Sequence, residues 1–115
     1  ALQVITIDEK KAKDYQNRPD FIQQYIFPGG MLPTKKQFEY SARHVGLKCI
    51  EKISFGGSYA KTLKMWNKQF QKSWTDLSRF GFDIKFKRMW EFYFSYCETG
   101  FSNNSTDVSH FLIQK

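Results

Sequence analysis

The sequence predicts an α/β fold in which three strands pack against helices. Short apolar runs rich in β-branched residues stand near the two ends of the chain, and a run that alternates apolar and polar residues lies between them. Long segments with apolar residues at every third or fourth position separate these runs. Strands that alternate with helices are typical of an α/β sandwich. We expect the 115 residues, 1–115, to form one domain or part of one.

The first strand is predicted at residues 1–7, ALQVITI. The run is mainly apolar and rich in β-branched residues, which favours a strand buried on both faces, as in a parallel sheet. The charged residues 8–18 that follow are expected to form a loop. A buried strand rarely opens a natural domain because chain termini fray. We therefore expect this chain to be part of a longer one that begins upstream of Ala1.

Two short helices follow the predicted loop. Pro19 suits the first turn of a helix over residues 19–27, because its fixed φ matches helical backbone. Thr34 is a plausible N-cap for a second helix over residues 35–44. Gly46 is expected to end that helix.

The second half of the chain holds the clearest helical patterns. A strand with imperfect alternation is predicted first, and two long helices and a last strand follow it. The predicted bounds are 47–55, 58–81, 84–101 and 108–115, with Gly81 ending the first long helix and Asp83 capping the second. Their spacing predicts that the large aromatic residues are mostly core, namely Trp66, Phe70, Trp74 and Trp90.

The charge of the chain leaves two interpretations open. The formal net charge is +7 and the excess is spread along the sequence, which fits either a solvated surface or a polyanionic partner. Cys49 and Cys97 stand in no paired motif, so we expect free, buried thiols in a reducing compartment. No long apolar run and no signal peptide are present in the sequence. We expect a cytoplasmic protein, at most peripheral to a membrane.

Few residues point to chemistry. His44 and His110 lack metal-ligand spacing, so no metal site is expected. Tyr59 follows a Gly pair at a predicted strand-to-helix corner, and such corners can face a ligand crevice. From the residues alone, Tyr59 fits either a structural or a ligand-binding role. The segment YIFPGGMLP at 25–33 surrounds a flexible Gly pair with apolar side chains, which indicates contact with something apolar.

Three motifs occur in one order over nearly the whole chain. They are I-F-P-G-G-x-L-P from residue 26, F-G-x-x-Y-A-x-T-L-x-x-W from residue 55, and F-x-R-M-W-x-x-Y from residue 86. With the segments around them, they resemble the C-terminal part of the cyclopropane-fatty-acyl-phospholipid synthases and the mycolic acid cyclopropane synthases.

The resemblance implies a fold. Members of this family have a class I S-adenosylmethionine-dependent methyltransferase domain with a Rossmann-like sheet. This chain would be its C-terminal portion, from the fifth strand to the last strand. In that fold the last strand inserts antiparallel between the other two. The first strand, at residues 2–8, would lie at an open edge here, and we expect dimerisation through it.

The resemblance also implies a reaction and a site. Family members methylate the cis double bond of an unsaturated acyl chain, and loss of a proton to a bound bicarbonate closes a cyclopropane ring. Tyr59 matches the tyrosine that binds this bicarbonate. Phe27, Pro28, Gly29 and Gly30 match the segment that lines the acyl channel, and Leu63 would lie on the same side as Tyr59.

The family's cofactor site lies upstream of the matched region. Its Gly-rich loop, its ribose-binding acidic residue and three further bicarbonate ligands have no counterpart in this sequence. The resemblance therefore implies S-adenosylmethionine and bicarbonate in the full-length enzyme, and an inactive fragment with no cofactor of its own. The expected partners are phospholipid acyl chains at the inner face of the membrane and the missing N-terminal part of the domain, with no nucleic acid.

Two other functions remain possible at this point. A related methyltransferase could act on another substrate with the same fold. A non-enzymatic module could bind nucleic acid through basic and aromatic residues. Core spacing of the aromatic residues argues against the second.

Overall fold

A computed structural model shows a three-stranded sheet with helices packed on it. The structure describes residues 1–115 except the side chain of Lys52. The elements in chain order are β1 (Leu2–Ile7), α1 (Glu9–Asn17), a π-helical turn (Ile22–Ile26), α2 (Lys35–His44), β2 (Lys48–Ser54), α3 (Gly56–Arg79), α4 (Ile84–Ser102) and β3 (Thr106–Gln114).

The last strand lies in the middle of the sheet. The strand order is β1-β3-β2, and β3 pairs antiparallel with both neighbours. This arrangement is the one that the family resemblance implied. The prediction of parallel-type burial for β1 is wrong for this chain. Its pairing is antiparallel, and Leu2 at its start is 48% exposed while only Thr6 is fully buried.

The alternation of β2 is interrupted by a bulge. Glu51 pairs with Phe111 and Ile53 pairs with His110, so one extra residue of β2 stands opposite two consecutive residues of β3. A bulge of this kind shifts which face the following side chains occupy. It explains why the apolar and polar residues of this strand alternate imperfectly in the sequence.

The two faces of the sheet carry different helices. Val108 of β3 belongs to a buried cluster formed with α3 and α4. Phe111 follows three residues later, so its side chain lies on the opposite face of the sheet. Its ring centroid is 4.6 Å from that of Phe38 in α2. The other buried members of the first cluster are Ala60, Leu63, Phe94 and Phe101. The α/β sandwich expected from the sequence is therefore present.

The loop predicted after β1 is wrong, because residues 9–17 form helix α1. Asp8 caps this helix, and its side chain accepts a hydrogen bond from Lys10 N at 3.0 Å. Ala12 is the buried residue of α1. The Tyr15 hydroxyl accepts a hydrogen bond from Leu32 N at 3.3 Å. This highly charged segment thus forms a helix because its narrow face with Ala12 and Tyr15 packs against the rest of the protein.

The helix predicted at 19–27 is shorter and of another type. Residues Ile22–Ile26 form a π-helical turn, closed by a hydrogen bond from Phe27 N to Ile22 O at 2.8 Å. Pro28 and Gly29 follow, and Gly29 has a φ of 78°, which suits glycine. The Gly30 amide returns to Phe27 O at 2.9 Å, which closes a tight turn.

The predicted helix boundaries at caps are confirmed. The side chain of Thr34 accepts a hydrogen bond from Gln37 N, and the side chain of Gln37 accepts one from Thr34 N, which completes a capping box. Asp83 Oδ1 accepts a hydrogen bond from Phe86 N at 2.8 Å. Gly46 and Gly81 have φ values of 77° and 96° at the ends of α2 and α3.

The aromatic residues of the long helices are not equally buried. Phe70 and Trp90 pack against the buried cluster, as predicted. Trp66 is 47% exposed, so its assignment to the core is wrong for this chain. Trp74 contacts Phe70, and Lys87 Nζ lies 5.4 Å from its ring centroid. Trp74 therefore lies at the edge of the core, between the Phe70 ring and the Lys87 ammonium group.

Among the helices of the described residues, not one combines the length and apolar composition that a membrane crossing requires. Cys49 and Cys97 are both free thiols, as predicted, but each is half-buried and not fully enclosed.

Candidate functional site

A cleft of about 620 Å³ lies between β1, the segment around the π-helical turn, and helices α3 and α4. Its walls are mainly apolar, and they include Ile5, Phe27, Leu63 and Phe92. The volume falls in the range of about 300–1,000 Å³ that is typical of sites for small ligands. A cleft of this size and composition fits a hydrocarbon segment.

The cleft brings together four of the six residues that the sequence singled out. Tyr59, Leu63, Phe27 and Gly30 line it. Pro28 and Gly29 do not belong to its lining, because they form the outer bend of the turn that returns Gly30 N to Phe27 O. The roles of all six residues at the site stay predictions.

Tyr59 is held in the first turn of α3. Its amide donates a hydrogen bond to Phe55 O at 3.0 Å. Its ring packs edge-on against Phe101 at 5.0 Å and against Trp66 at 5.9 Å. Leu63, one turn later on the same side of the helix, is 1% exposed. The phenol therefore enters the cleft from a rigid helix between two fixed rings.

Two further phenols from α4 line the same cleft. Burial raises the pKa of Tyr93 to about 12, with smaller contributions from Cys97 and Tyr59. Burial also raises the pKa of Tyr96 to about 12, and the Tyr96 hydroxyl donates a hydrogen bond to Asp20 Oδ2 at 2.9 Å. Both phenols are neutral at physiological pH. They add polar groups to a mainly apolar wall, and the Tyr96 hydroxyl is already paired with Asp20.

The sequence predictions missed Tyr93, Tyr96 and Asp20 as residues of the site. Tyr93 belongs to the apolar stripe of α4, which indicated core packing. Asp20 and Tyr96 are 76 residues apart in the sequence, so no local sequence pattern indicates the hydrogen bond between them. One sequence feature could have indicated Asp20 as a site residue, namely its position directly before an apolar segment.

Cys97 also lines the cleft, and burial raises the pKa of its thiol from 9.0 to about 11. Such a shift lowers the thiolate fraction at neutral pH by about 100-fold. We expect iodoacetamide at neutral pH to alkylate Cys97 of the folded full-length protein at least about tenfold more slowly than Cys49. Peptide mass spectrometry over a time course measures both rates. Equal alkylation rates for Cys97 and Cys49 in the folded protein would contradict the prediction.

Comparison with known proteins identifies the family to which this chain belongs. The family model for mycolic acid cyclopropane synthetase matches residues 1–111. The chain belongs to this family. It is 38% identical over 109 residues to the tuberculostearic acid methyltransferase UfaA1 of Mycobacterium tuberculosis. It is 32% identical over 97 residues to the cyclopropane-fatty-acyl-phospholipid synthase of Escherichia coli.

A solved member of the mycolic acid cyclopropane synthetase family has the same fold in the corresponding region. The crystal structure of mycolic acid cyclopropane synthase CmaA1, complexed with SAH and CTAB, matches 99% of this chain with a TM-score of 0.84 and 26% identity. The predicted fold class, the C-terminal portion of a class I methyltransferase with three strands and packed helices, is thereby confirmed.

The matched relatives are considerably longer than this chain. The alignments cover 94% and 84% of this chain but only 26% and 24% of UfaA1 and of the Escherichia coli synthase, and the structural match covers 43% of the CmaA1 chain. The chain thus spans about a quarter of the length of these curated relatives.

Proposed function

We propose that the full-length protein is an S-adenosylmethionine-dependent methyltransferase that methylates or cyclopropanates the cis double bond of unsaturated phospholipid acyl chains. The observation that carries the proposal is the apolar cleft with the Tyr59 phenol in its wall, in a chain of the mycolic acid cyclopropane synthetase family. An acyl chain has no polar handle along its length, so only an apolar cleft can hold it without leaving polar groups unpaired.

The residues of this chain have distinct roles in the proposal. Phe27, Gly30 and Leu63 form part of the surface against which the acyl chain lies. Pro28 and Gly29 shape the bend that brings Phe27 and Gly30 to the cleft. Tyr59 would donate a hydrogen bond to a bicarbonate ion, which would supply the base for the proton lost on ring closure. A phenol on a rigid helix is suited to hold a small oxyanion in one place.

S-adenosylmethionine, which supplies the methyl group, does not fit the residues of this chain. At the strand-to-helix corner, the Gly56 amide is not available to the carboxylate of this cofactor, because it donates its hydrogen bond to Asp107 Oδ1 at 2.9 Å. We therefore place the cofactor site in the part of the protein outside this chain. The chain by itself is expected to be inactive.

The surface charge supports a location next to a lipid surface. With a net charge of +7, the chain would be attracted to an anionic leaflet. We propose a cytoplasmic protein peripheral to the inner face of the membrane. The open edge of β1 is proposed to pair with the remaining part of its own domain or, in the isolated chain, with residues 2–8 of a second copy.

The proposed function is tested by methyl transfer. The full-length protein is incubated with methyl-labelled S-adenosylmethionine and vesicles of dioleoyl phosphatidylglycerol, and the released fatty acids are analysed by mass spectrometry. We expect label in the acyl chain. Without a hydride donor, a ring and a branched alkene have the same mass, so the proton NMR resonances of a cyclopropane distinguish them. Vesicles with saturated chains are the control. Label that appears only in another class of substrate would instead support a related methyltransferase.

A further inference from the structure

The N-terminus of α3, which carries Tyr59, is capped from another strand. The helix follows Phe55, whose side chain has no hydrogen-bonding atom. Asp107 of β3 supplies the capping oxygen instead, because its Oδ1 accepts a hydrogen bond from Gly56 N at 2.9 Å. A carboxylate at this position also lies at the positive end of the helix dipole, where negative charge is stabilising.

Gly56 permits this close approach. A Cβ at Gly56 would lie 2.6 Å from Asp107 Oδ1 and 3.3 Å from Asp107 Cα. The first of these distances is shorter than a real Cβ tolerates, so any other residue would displace the Asp107 carboxylate from Gly56 N, and the contact with Asp107 Cα leaves little room for adjustment. The fit between the start of α3 and Asp107 is therefore a specific feature of this backbone.

The second oxygen of Asp107 is held by Lys35. Lys35 Nζ, in the first turn of α2, lies 3.0 Å from Asp107 Oδ2 and 3.1 Å from Glu51 Oε1. It also donates a hydrogen bond to Ser54 Oγ at 2.7 Å. Lys35 thus joins α2 to both β2 and β3 at the point where α3 begins.

All three charged groups of this network are ionised at neutral pH. Burial opposes the charge of Asp107, but the hydrogen bonds from Lys35 and Gly56 outweigh it and hold its pKa below 3.8. The hydrogen bond from Ser54 is the main reason that the pKa of Glu51 lies below 4.5. Burial opposes the charge of Lys35, and the two carboxylates outweigh it and raise its pKa above 10.5. The network is therefore complete from weakly acidic to weakly alkaline pH.

We propose that Asp107 and Lys35 are positioning residues that orient Tyr59 in the cleft. The proposal rests on the proposed function of Tyr59. Tyr59 is three residues after Gly56, and its own amide bonds to Phe55 O, so the capped turn is the turn that carries the phenol. When Asp107 fixes Gly56, it fixes where α3 starts and how far the Tyr59 ring extends between Phe101 and Trp66.

A double-mutant cycle in the full-length protein tests this proposal. D107A is expected to lower kcat about tenfold with little change in the KM for lipid, because positioning and not substrate binding is lost. In the Y59F background, D107A should have no further effect, because Asp107 acts through the phenol. D107N keeps an oxygen that can accept from Gly56 N, and it should restore most of the rate.

A matched control separates this effect from a general loss of charge. E39Q removes an ion pair with Arg43 of nearly the same length, 3.1 Å against 3.0 Å for Lys35 and Asp107, on α2. It should leave kcat unchanged. If D107A lowers kcat as strongly in the Y59F background as in the wild type, the loss is structural and the positioning role is overturned.

A spectroscopic measurement decides the same question without activity. The full-length protein is prepared with 3-fluorotyrosine at position 59, and its ¹⁹F resonance is recorded for wild type, D107A, K35M and E39Q. We expect D107A and K35M to shift or broaden the resonance, and E39Q to leave it unchanged. An unchanged resonance in D107A overturns the proposal. If Y59F were fully active, the role of Tyr59 in the proposed function would fail, while the ¹⁹F signal would still show whether Asp107 positions the ring.

Discussion

Replacing Tyr59 with phenylalanine is expected to lower the kcat of the full-length protein by about 100-fold, the size typical for the loss of one preorganised hydrogen-bond donor to an oxyanion. The ring would stay in place, because its edge-on contacts with Phe101 and Trp66 involve the ring and not the hydroxyl. The lost group is the hydrogen-bond donor to the proposed bicarbonate. Methyl transfer to dioleoyl phosphatidylglycerol vesicles measures the effect.

Y40F is the matched control for this prediction. Tyr40 lies on α2 and is 70% exposed, and its ring stacks on His44. Its hydroxyl can be removed without a change in the cleft. If bicarbonate binding is what Y59F weakens, added bicarbonate should restore part of the rate by mass action. Equal kcat for Y59F and the wild type at every bicarbonate concentration would refute the role of Tyr59.

Replacing Leu63 with alanine is expected to destabilise the folded protein by about 2–5 kcal/mol, as is typical for a buried leucine. Leu63 is 1% exposed and packs in the cluster formed by α3, α4 and Val108. It also lines the cleft, so its loss would enlarge the space for an acyl chain. Denaturant-induced unfolding, followed by circular dichroism, measures the change in the free energy of unfolding.

M65A is the control on the same helix. Met65 is 69% exposed, so its truncation removes little buried surface and should change stability by less than about 0.5 kcal/mol. An equal loss of unfolding free energy in L63A and M65A would show that the burial of Leu63 is not what stabilises this part of α3.

The parts of the fold that depend on neighbouring residues could be predicted from the sequence. Thr34 and Asp83 cap helices through hydrogen bonds three residues away, and Gly46 ends one through its own φ. Helix α1 was missed because its sequence has no apolar stripe, and only Ala12 is buried. The π-helical turn was predicted as an ordinary helix, because the i to i+5 bond of Phe27 depends on how the next turn closes.

The candidate site shows the same division. Tyr59 could be found because it follows a Gly pair at a corner between a strand and a helix. Tyr96 and Asp20 could not, because their hydrogen bond joins residues far apart in the sequence. The link between Asp107 and Gly56 spans 51 residues and crosses from β3 to α3, so no local pattern predicts it. Contacts of this kind are set by the topology of the sheet.

That topology also sets an order for folding during synthesis. Both β1 and β2 pair only with β3 within the described sheet, and Leu2 pairs with Phe111. Because translation proceeds from the N-terminus at about 5–20 residues per second, β1 must wait several seconds for its partner. Until β3 leaves the ribosome, the apolar residues of β1 have no strand in this sheet to cover them. In that interval β1 can pair only through its other edge, with the part of the domain that we propose to precede it and that is made first.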